Sequence, residues 1–269
     1  CCFTMNVSIL TVFPDLYTSF LNTSLLRRAQ ERGIFVFDLV GFPTLTRPGE
    51  RIDTPTFGHG SGMLIKPNVV EKGISLQEER HGKALKIFFS PHGTKLDQDQ
   101  ARRLAAKLTD YKHLLLVASR YEGMDARVEA EYADEIISIG DYVLMGGDLP
   151  AMVLLEALAR LVPGVVGSAA SVEHESFTGP FVDYPEYTEP VEWHGKVVPE
   201  VVRSGNHALL QEWREQQAAE RTLLGGHFDW FRASETTAEQ RAVAFKTIPK
   251  HYCALMHTDV MLPHDGNGT

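Results

Sequence analysis

Three short segments combine glycine with side chains that bind or ionise: Ser-Pro-His-Gly-Thr at 90–94, Ser-Arg-Tyr-Glu-Gly-Met-Asp at 119–125 and Gly-Asp-Tyr-Val-Leu-Met-Gly-Gly-Asp at 140–148. Glycine has no Cβ and lets backbone approach a ligand closely. Three such segments at the carboxyl ends of strands would form a pocket for a small molecule, although each taken alone is ordinary turn chemistry. A fourth glycine cluster, Phe57 to Met63, lacks the Gly-Lys-Ser/Thr ending of a phosphate loop, and no GxGxxG follows the first apolar run. Nucleoside-triphosphate and dinucleotide folds therefore lose their main sequence support. His174 stands between Glu173 and Glu175 in a polar stretch. Titratable groups on such a segment can act as general bases once a site closes over substrate, while in isolation the trio reads as solvated polarity. Arg160 ends an apolar helical run, where a cation complements the helix dipole. His251, Cys253, His257 and His264 match no familiar ligand spacing, so no metal site is expected from them.

The elements that must position these groups follow from the apolar pattern. Val7 to Val12 and Phe35 to Leu39 read as buried strands, separated by a helix from Leu16 to Arg32 that Gly33 stops. Lys86 to Ser90, His113 to Ser119 and Glu135 to Ile139 read as further strands, each running into one of the glycine-bearing segments. A helix from Asp97 to Thr109 carries Leu104 and Leu108 one turn apart. Strands alternating with helices predict an α/β fold with a mostly parallel sheet. An apolar helix from Leu149 to Leu161 ends at Val162-Pro163-Gly164. From Ser168 to about Pro185 the chain is rich in Ser, Gly, Pro, Asp and Glu, as in an exposed linker. The pattern from Val201 onward is helical, and the tail beyond Met261 is expected to fray.

The chain has 269 residues, 43% hydrophobic and 23% charged, an ordinary globular composition with room for two domains. No run approaches the roughly 20 apolar residues that span a bilayer, and the three cysteines form no disulfide framework. A cytoplasmic protein that does not engage membranes is expected, with Met5 as its natural start. A net charge of −9 argues against coating nucleic acid nonspecifically, because counterion release rewards broad positive surfaces. It leaves room for a local basic patch, for which Arg203, Arg214, Arg221 and Arg232 are candidates, or simply solvated helix faces.

Together, Val-Phe-Pro at 12–14, Gly-Ser-Gly-Met at 60–63, Ser-Pro-His-Gly at 90–93, Arg-Tyr-Glu-Gly at 120–123, Ser-Ile-Gly-Asp-Tyr-Val-Leu at 138–144, Gly-Gly-Asp at 146–148, Arg-Leu-Val-Pro-Gly at 160–164 and Ser-Gly-Asn-His at 204–207 occur in one order. In this the chain resembles the bacterial tRNA (guanine-N1)-methyltransferases acting at position 37, the TrmD family of the knotted SPOUT superfamily. The resemblance covers nearly the whole chain. It implies an S-adenosylmethionine-binding domain at 1–166 with a deep trefoil knot toward its C-terminal side, a flexible linker at 167–182, and a small mainly α-helical tRNA-binding domain at 183–269. It further implies a homodimer with the active site shared between subunits, and the tRNA anticodon stem-loop as partner. By resemblance, S-adenosylmethionine is bound by Ser90, Pro91, Gly93, Ser119, Tyr121, Glu122, Gly123, Ser138, Ile139, Gly140, Tyr142, Leu144, Gly146 and Gly147. Ser171, Ser204, Asn206 and His207 are implied substrate-binding residues. The family is sometimes described as using Mg2+, and no cluster in this sequence marks a site for it.

The reaction implied is methylation of guanine N1, which carries a proton at neutral pH. It needs a base to remove that proton and a donor to hold the charge developing on O6. Arg160 matches the family arginine assigned to O6. The family base is an aspartate in the linker, fifteen positions after that arginine, and this chain has Glu175 there. Glutamate has nearly the same intrinsic pKa, about 4.3 against about 3.9, with an extra methylene; His174 beside it is the candidate to share or take the role. Other departures are Ser119 for a usual glycine, His59 in the glycine cluster, and Glu189 where an arginine commonly follows Tyr-Thr. The alternatives are a knotted methyltransferase acting elsewhere on RNA, and a tRNA-binding homologue that the aspartate-to-glutamate change has impaired. A nucleotide-binding regulatory protein without RNA affinity is a further one.

Overall fold

The computed structural model describes residues 4–60, 62–167 and 176–247. His174, Glu175 and Ser171, and the cluster at His251, Cys253, His257 and His264, lie outside the described residues. The chain divides into two compact units, Cys1–Ala169 and Ala170–Thr269.

The first unit is α/β. Its strands are β1 (Met5–Thr11), β2 (Phe35–Gly41), β5 (Leu85–Lys95), β6 (His113–Val117) and β7 (Glu135–Ser138), in the order β2-β1-β6-β5-β7. All four pairings are parallel. Alternate residues face opposite layers, as the two-residue strand period requires. Val7 and Ile9 of β1 with Leu114 and Leu116 of β6 pack into one cluster, while Leu10, Leu115 and Val117 pack into the other. Burial on both faces explains why Leu114–Val117 of β6 reads as a continuous apolar run. A short antiparallel pair, β3 (Asp53–Pro55) and β4 (Met63–Ile65), lies outside this sheet.

The first cluster is completed by α1 (Leu16–Leu21), α2 (Ser24–Glu31), α4 (Gln98–Tyr111) and α6 (Asp148–Ala159), and the second by α3 (Pro67–His81) and α5 (Ala126–Tyr132). The expected continuous helix from Leu16 to Arg32 is broken at Asn22-Thr23. Asn22 Nδ2 donates to the carbonyl of Thr18 at 2.8 Å and Thr23 Oγ1 to that of Ser19 at 2.5 Å. Such short polar side chains compete with the helical backbone ladder, and Ser24 takes a left-handed φ of 48°. The expected loop at 90–94 is instead extended chain inside β5. Phe89 and Thr94 both partner Ile137, so residues 90–93 bulge from the ladder without leaving the strand. Helix α4 starts where expected because the Asp97 side chain accepts from the N–H of Gln100 at 2.8 Å.

In the second unit, β8 (Glu192–Trp193) and β9 (Lys196–Val197) form a hairpin, followed by α7 (Glu200–Arg203), α8 (His207–Leu224), α9 (Phe228–Ala233) and α10 (Ala238–Thr247). Part of the stretch expected as linker packs on these helices. Phe177 meets Trp230 edge-on, Trp230 Nε1–H donates to the carbonyl of Gly179 at 3.0 Å, and the N–H of Val182 donates to buried Thr222 at 2.9 Å. Among the described residues, no helix is long and apolar enough to cross a membrane.

Candidate active site

The three glycine-bearing segments meet at the carboxyl ends of β5, β6 and β7 and enclose a cavity of about 430 Å3. Ser90 and Pro91 come from β5, and Ser119, Tyr121, Glu122 and Gly123 from the loop after β6. Ser138, Ile139, Gly140, Tyr142, Leu144, Gly146 and Gly147 come from the segment after β7. Gly93 is the one expected cofactor residue outside the lining. A Cβ there would lie 2.7 Å from the backbone carbon and oxygen of Ile136, so this glycine lets β5 press directly on β7.

Each loop is pinned by backbone. The N–H of Glu122 donates to Met63 at 3.1 Å, and the N–H groups of Ile65 and Asp125 exchange bonds with Gly123 and Ile65, tying this loop to β4. Tyr121 holds a left-handed φ of 61°, an uncommon conformation for a bulky side chain and one that concentrates at functional sites. The Gly147 N–H donates to Ser119 at 2.8 Å, and a Cβ on Gly147 would lie 3.0 Å from Ala118 Cα. The segment after β7 therefore crosses to the end of β6, passing the end of β5 that lies between them in the sheet.

Asp148 anchors that crossing. Its buried carboxylate accepts from Thr11 Oγ1 at 2.5 Å and Tyr17 OH at 3.1 Å on one oxygen, and from Arg120 Nε at 2.8 Å on the other. Burial, reinforced by the Asp148 charge, pushes the Tyr17 phenol far above its ordinary pKa. The Arg120 guanidinium lies over the Phe13 ring, 4.9 Å from its centroid.

A model of the family described as tRNA (Guanine-1)-methyltransferase TrmD matches residues 5–227. The chain belongs to the TrmD family. A tRNA (guanine-N(1)-)-methyltransferase of Syntrophomonas wolfei is 41% identical over 221 residues, covering 82% of this chain and 88% of the relative. Enzymes of the same name from Thermus thermophilus and Wolbachia pipientis are 43% and 39% identical, covering 81% of this chain and 89% and 94% of their own lengths.

Within this TrmD-family chain, Arg160 caps the C-terminal end of α6, exposed and outside the cavity lining. At about 1.5 Å per residue, α6 sets it roughly 18 Å along the axis from Asp148. In the second unit, Asn206 Oδ1 accepts from the N–H of Leu209 at 3.2 Å and caps α8, while Ser204 Oγ accepts from the N–H of Asn206. These two side chains shape the turn before α8, and His207 opens that helix exposed. The sequence reading missed His92 and Glu129. Both line the cavity, with His92 Nε2 2.9 Å from Glu129 Oε1 and Nδ1 2.6 Å from Ser90 Oγ. Two ionisable residues beside recognised motifs were the available signal, but nothing in their spacing pairs them.

Proposed function

We propose that this chain transfers a methyl group from S-adenosylmethionine to N1 of guanine 37 in tRNA. The observation that carries the reading is the convergence of three separate TrmD-family segments on one cavity at the carboxyl ends of β5, β6 and β7.

The cavity suits the donor. Its volume lies in the roughly 300–1,000 Å3 range of small-molecule pockets. Its third segment lines it with Ile139, Gly140, Tyr142, Leu144, Gly146 and Gly147. Its described lining residues include Glu122 and Glu129 and neither lysine nor arginine, which fits a cationic nucleoside. When bound, the sulfonium supplies an electrophilic methyl group. The deep trefoil knot belongs to this proposal, supported by the passage of the 140–147 segment across the end of β5 to Ala118 and Ser119.

In this reading Glu175 takes the N1 proton of guanine, with His174 as accessory base, and Arg160 holds the charge developing on O6. Arg160 ends α6 outside the lining of its own chain's cavity, and in this reading it serves the partner's pocket in a homodimer. Support for that assembly is the apolar surface beside the site. Val143 and Met145 are 90% and 84% exposed, and Leu149 and Val153 of α6 with Phe13 and Leu16 are also exposed. An exposed patch of this kind marks an interaction surface. Residues 1–166 then form the donor-binding domain, 167–182 the linker, and 183–269, with Ser204, Asn206 and His207 around the α8 start, the part that grips the anticodon stem-loop. Among the described residues no group of three or more His, Cys, Asp and Glu could hold a metal ion.

The test is methylation of tRNA transcripts with labelled S-adenosylmethionine in a cytoplasm-like buffer. Incorporation at N1 of guanine 37 is expected, falling at least about 100-fold in Glu175→Ala and Arg160→Ala with donor binding retained. Incorporation that persists when guanine 37 is replaced would refute the assigned position.

A further inference from the structure

We propose that His92 and Glu129 bind the amino-acid end of the methyl donor, a specificity that rests on the reading of the cavity given above. The donor carries an α-ammonium and an α-carboxylate on one carbon. Its ammonium needs a carboxylate, and its carboxylate needs a hydrogen-bond donor, preferably charged. Among the described lining residues, His92 is the one side chain that can carry a positive charge, and it already faces an anion, with Nε2 2.9 Å from Glu129 Oε1. Ser90 Oγ, 2.6 Å from Nδ1, fixes the ring and leaves Nε2 as the nitrogen turned to its partner.

An N–H donor beside a carboxylate at a pocket wall is complementary to a zwitterion. The α-carboxylate takes the Nε2–H of His92, the α-ammonium is taken by Glu129, and one contact becomes two. As a stability device the same pair contributes little. The His92 side chain is 63% exposed, and water screens so exposed a contact. The three residues stand on two elements, Ser90 and His92 on the bulged part of β5 and Glu129 in α5. Both elements also form the cavity, so the pair is held where a ligand would meet it.

Calorimetric binding of two ligands to the full chain separates this role from a merely structural one. S-adenosylhomocysteine carries the amino-acid end, and 5′-methylthioadenosine is the corresponding nucleoside thioether without it. We expect His92→Ala and Glu129→Gln each to weaken S-adenosylhomocysteine about 10-fold or more, the range for one hydrogen bond to a charged group, and to leave 5′-methylthioadenosine unchanged. Equal weakening of both ligands, or of neither, overturns the inference while leaving the donor pocket standing. Failure of the wild-type chain to bind either ligand overturns the pocket reading and this inference together. Unchanged 5′-methylthioadenosine affinity also certifies that a variant has folded.

Discussion

Replacing Asp148 by asparagine tests whether one buried carboxylate holds the cavity wall. Thr11 and Tyr17 both donate to one of its oxygens and Arg120 to the other. Asparagine can keep a carbonyl oxygen toward Thr11 and Tyr17, and must then turn its NH2 toward the Arg120 guanidinium, donor against donor. A hydrogen bond to a charged group is worth about 1.5–3 kcal/mol, and removing one member of a fully buried pair costs about 3–5 kcal/mol. The Arg120 side chain is 21% exposed, so water recovers part of the loss and about 2–3 kcal/mol is expected. At about 2–4 °C per kcal/mol for a chain of this size, the thermal midpoint should fall by roughly 5–10 °C. Affinity for S-adenosylhomocysteine should fall with it, because Gly146 and Gly147 immediately precede the anchor. Thermal melts and calorimetry on the same samples read both. A midpoint shift below about 1 °C would refute the energetic argument, and lowered stability with unchanged ligand affinity would refute the link from anchor to cavity.

Three further outcomes follow from particular contacts. The Arg103 guanidinium, with Lys107, holds Glu135 well below the ordinary carboxylate range, at about 2. Its stabilisation is therefore complete above the unfolded value near about 4.3 and is lost as pH falls toward 2. Urea midpoints measured between pH 2 and 6 should decline on acidification, and less steeply in Glu135→Gln. Gly93→Ala sets a Cβ 2.7 Å from Ile136 backbone, which no rotamer change relieves; a loss of about 1–3 kcal/mol in urea unfolding is expected, and an unchanged midpoint would show that β5 can shift freely. Thr222→Val removes the acceptor that a fully buried side chain offers to the part-buried N–H of Val182. It should cost about 1–3 kcal/mol, and faster proteolysis near Val182 should accompany the loss.

Strand β6 was legible because burial on both faces leaves Leu114–Val117 apolar without interruption. Helix α3 was not. Its buried face is Val69, Val70, Gly73, Ile74 and Gln77, and a glycine and a glutamine in the stripe erase the periodic signal. Gly73 is there for packing, since a Cβ would lie 3.0 Å from the side chains of Leu10 and Leu45. Gln77 is there for polarity, because its Oε1 accepts from buried Ser8. The cavity was legible from glycine-bearing segments after strands, whereas the His92–Glu129 contact depends on how β5 and α5 meet in space. The two-residue hairpin at Trp193–Lys196 escaped notice because strands this short carry no alternation to read.

The motifs that looked independent along the chain are physically one cluster. Val-Phe-Pro at 12–14 follows Thr11, whose Oγ1 donates to Asp148 and accepts from the N–H of Phe13 at 3.0 Å. Arg120 of Arg-Tyr-Glu-Gly lies over Phe13, pairs with Asp148 and reaches the carbonyl of Met145 at 3.3 Å. Gly146-Gly147-Asp148 contributes the crossing backbone and its anchor. A change in any one of these segments is therefore felt by the other two, since all converge on a single buried carboxylate. That coupling gives a physical reason for these segments to occur together.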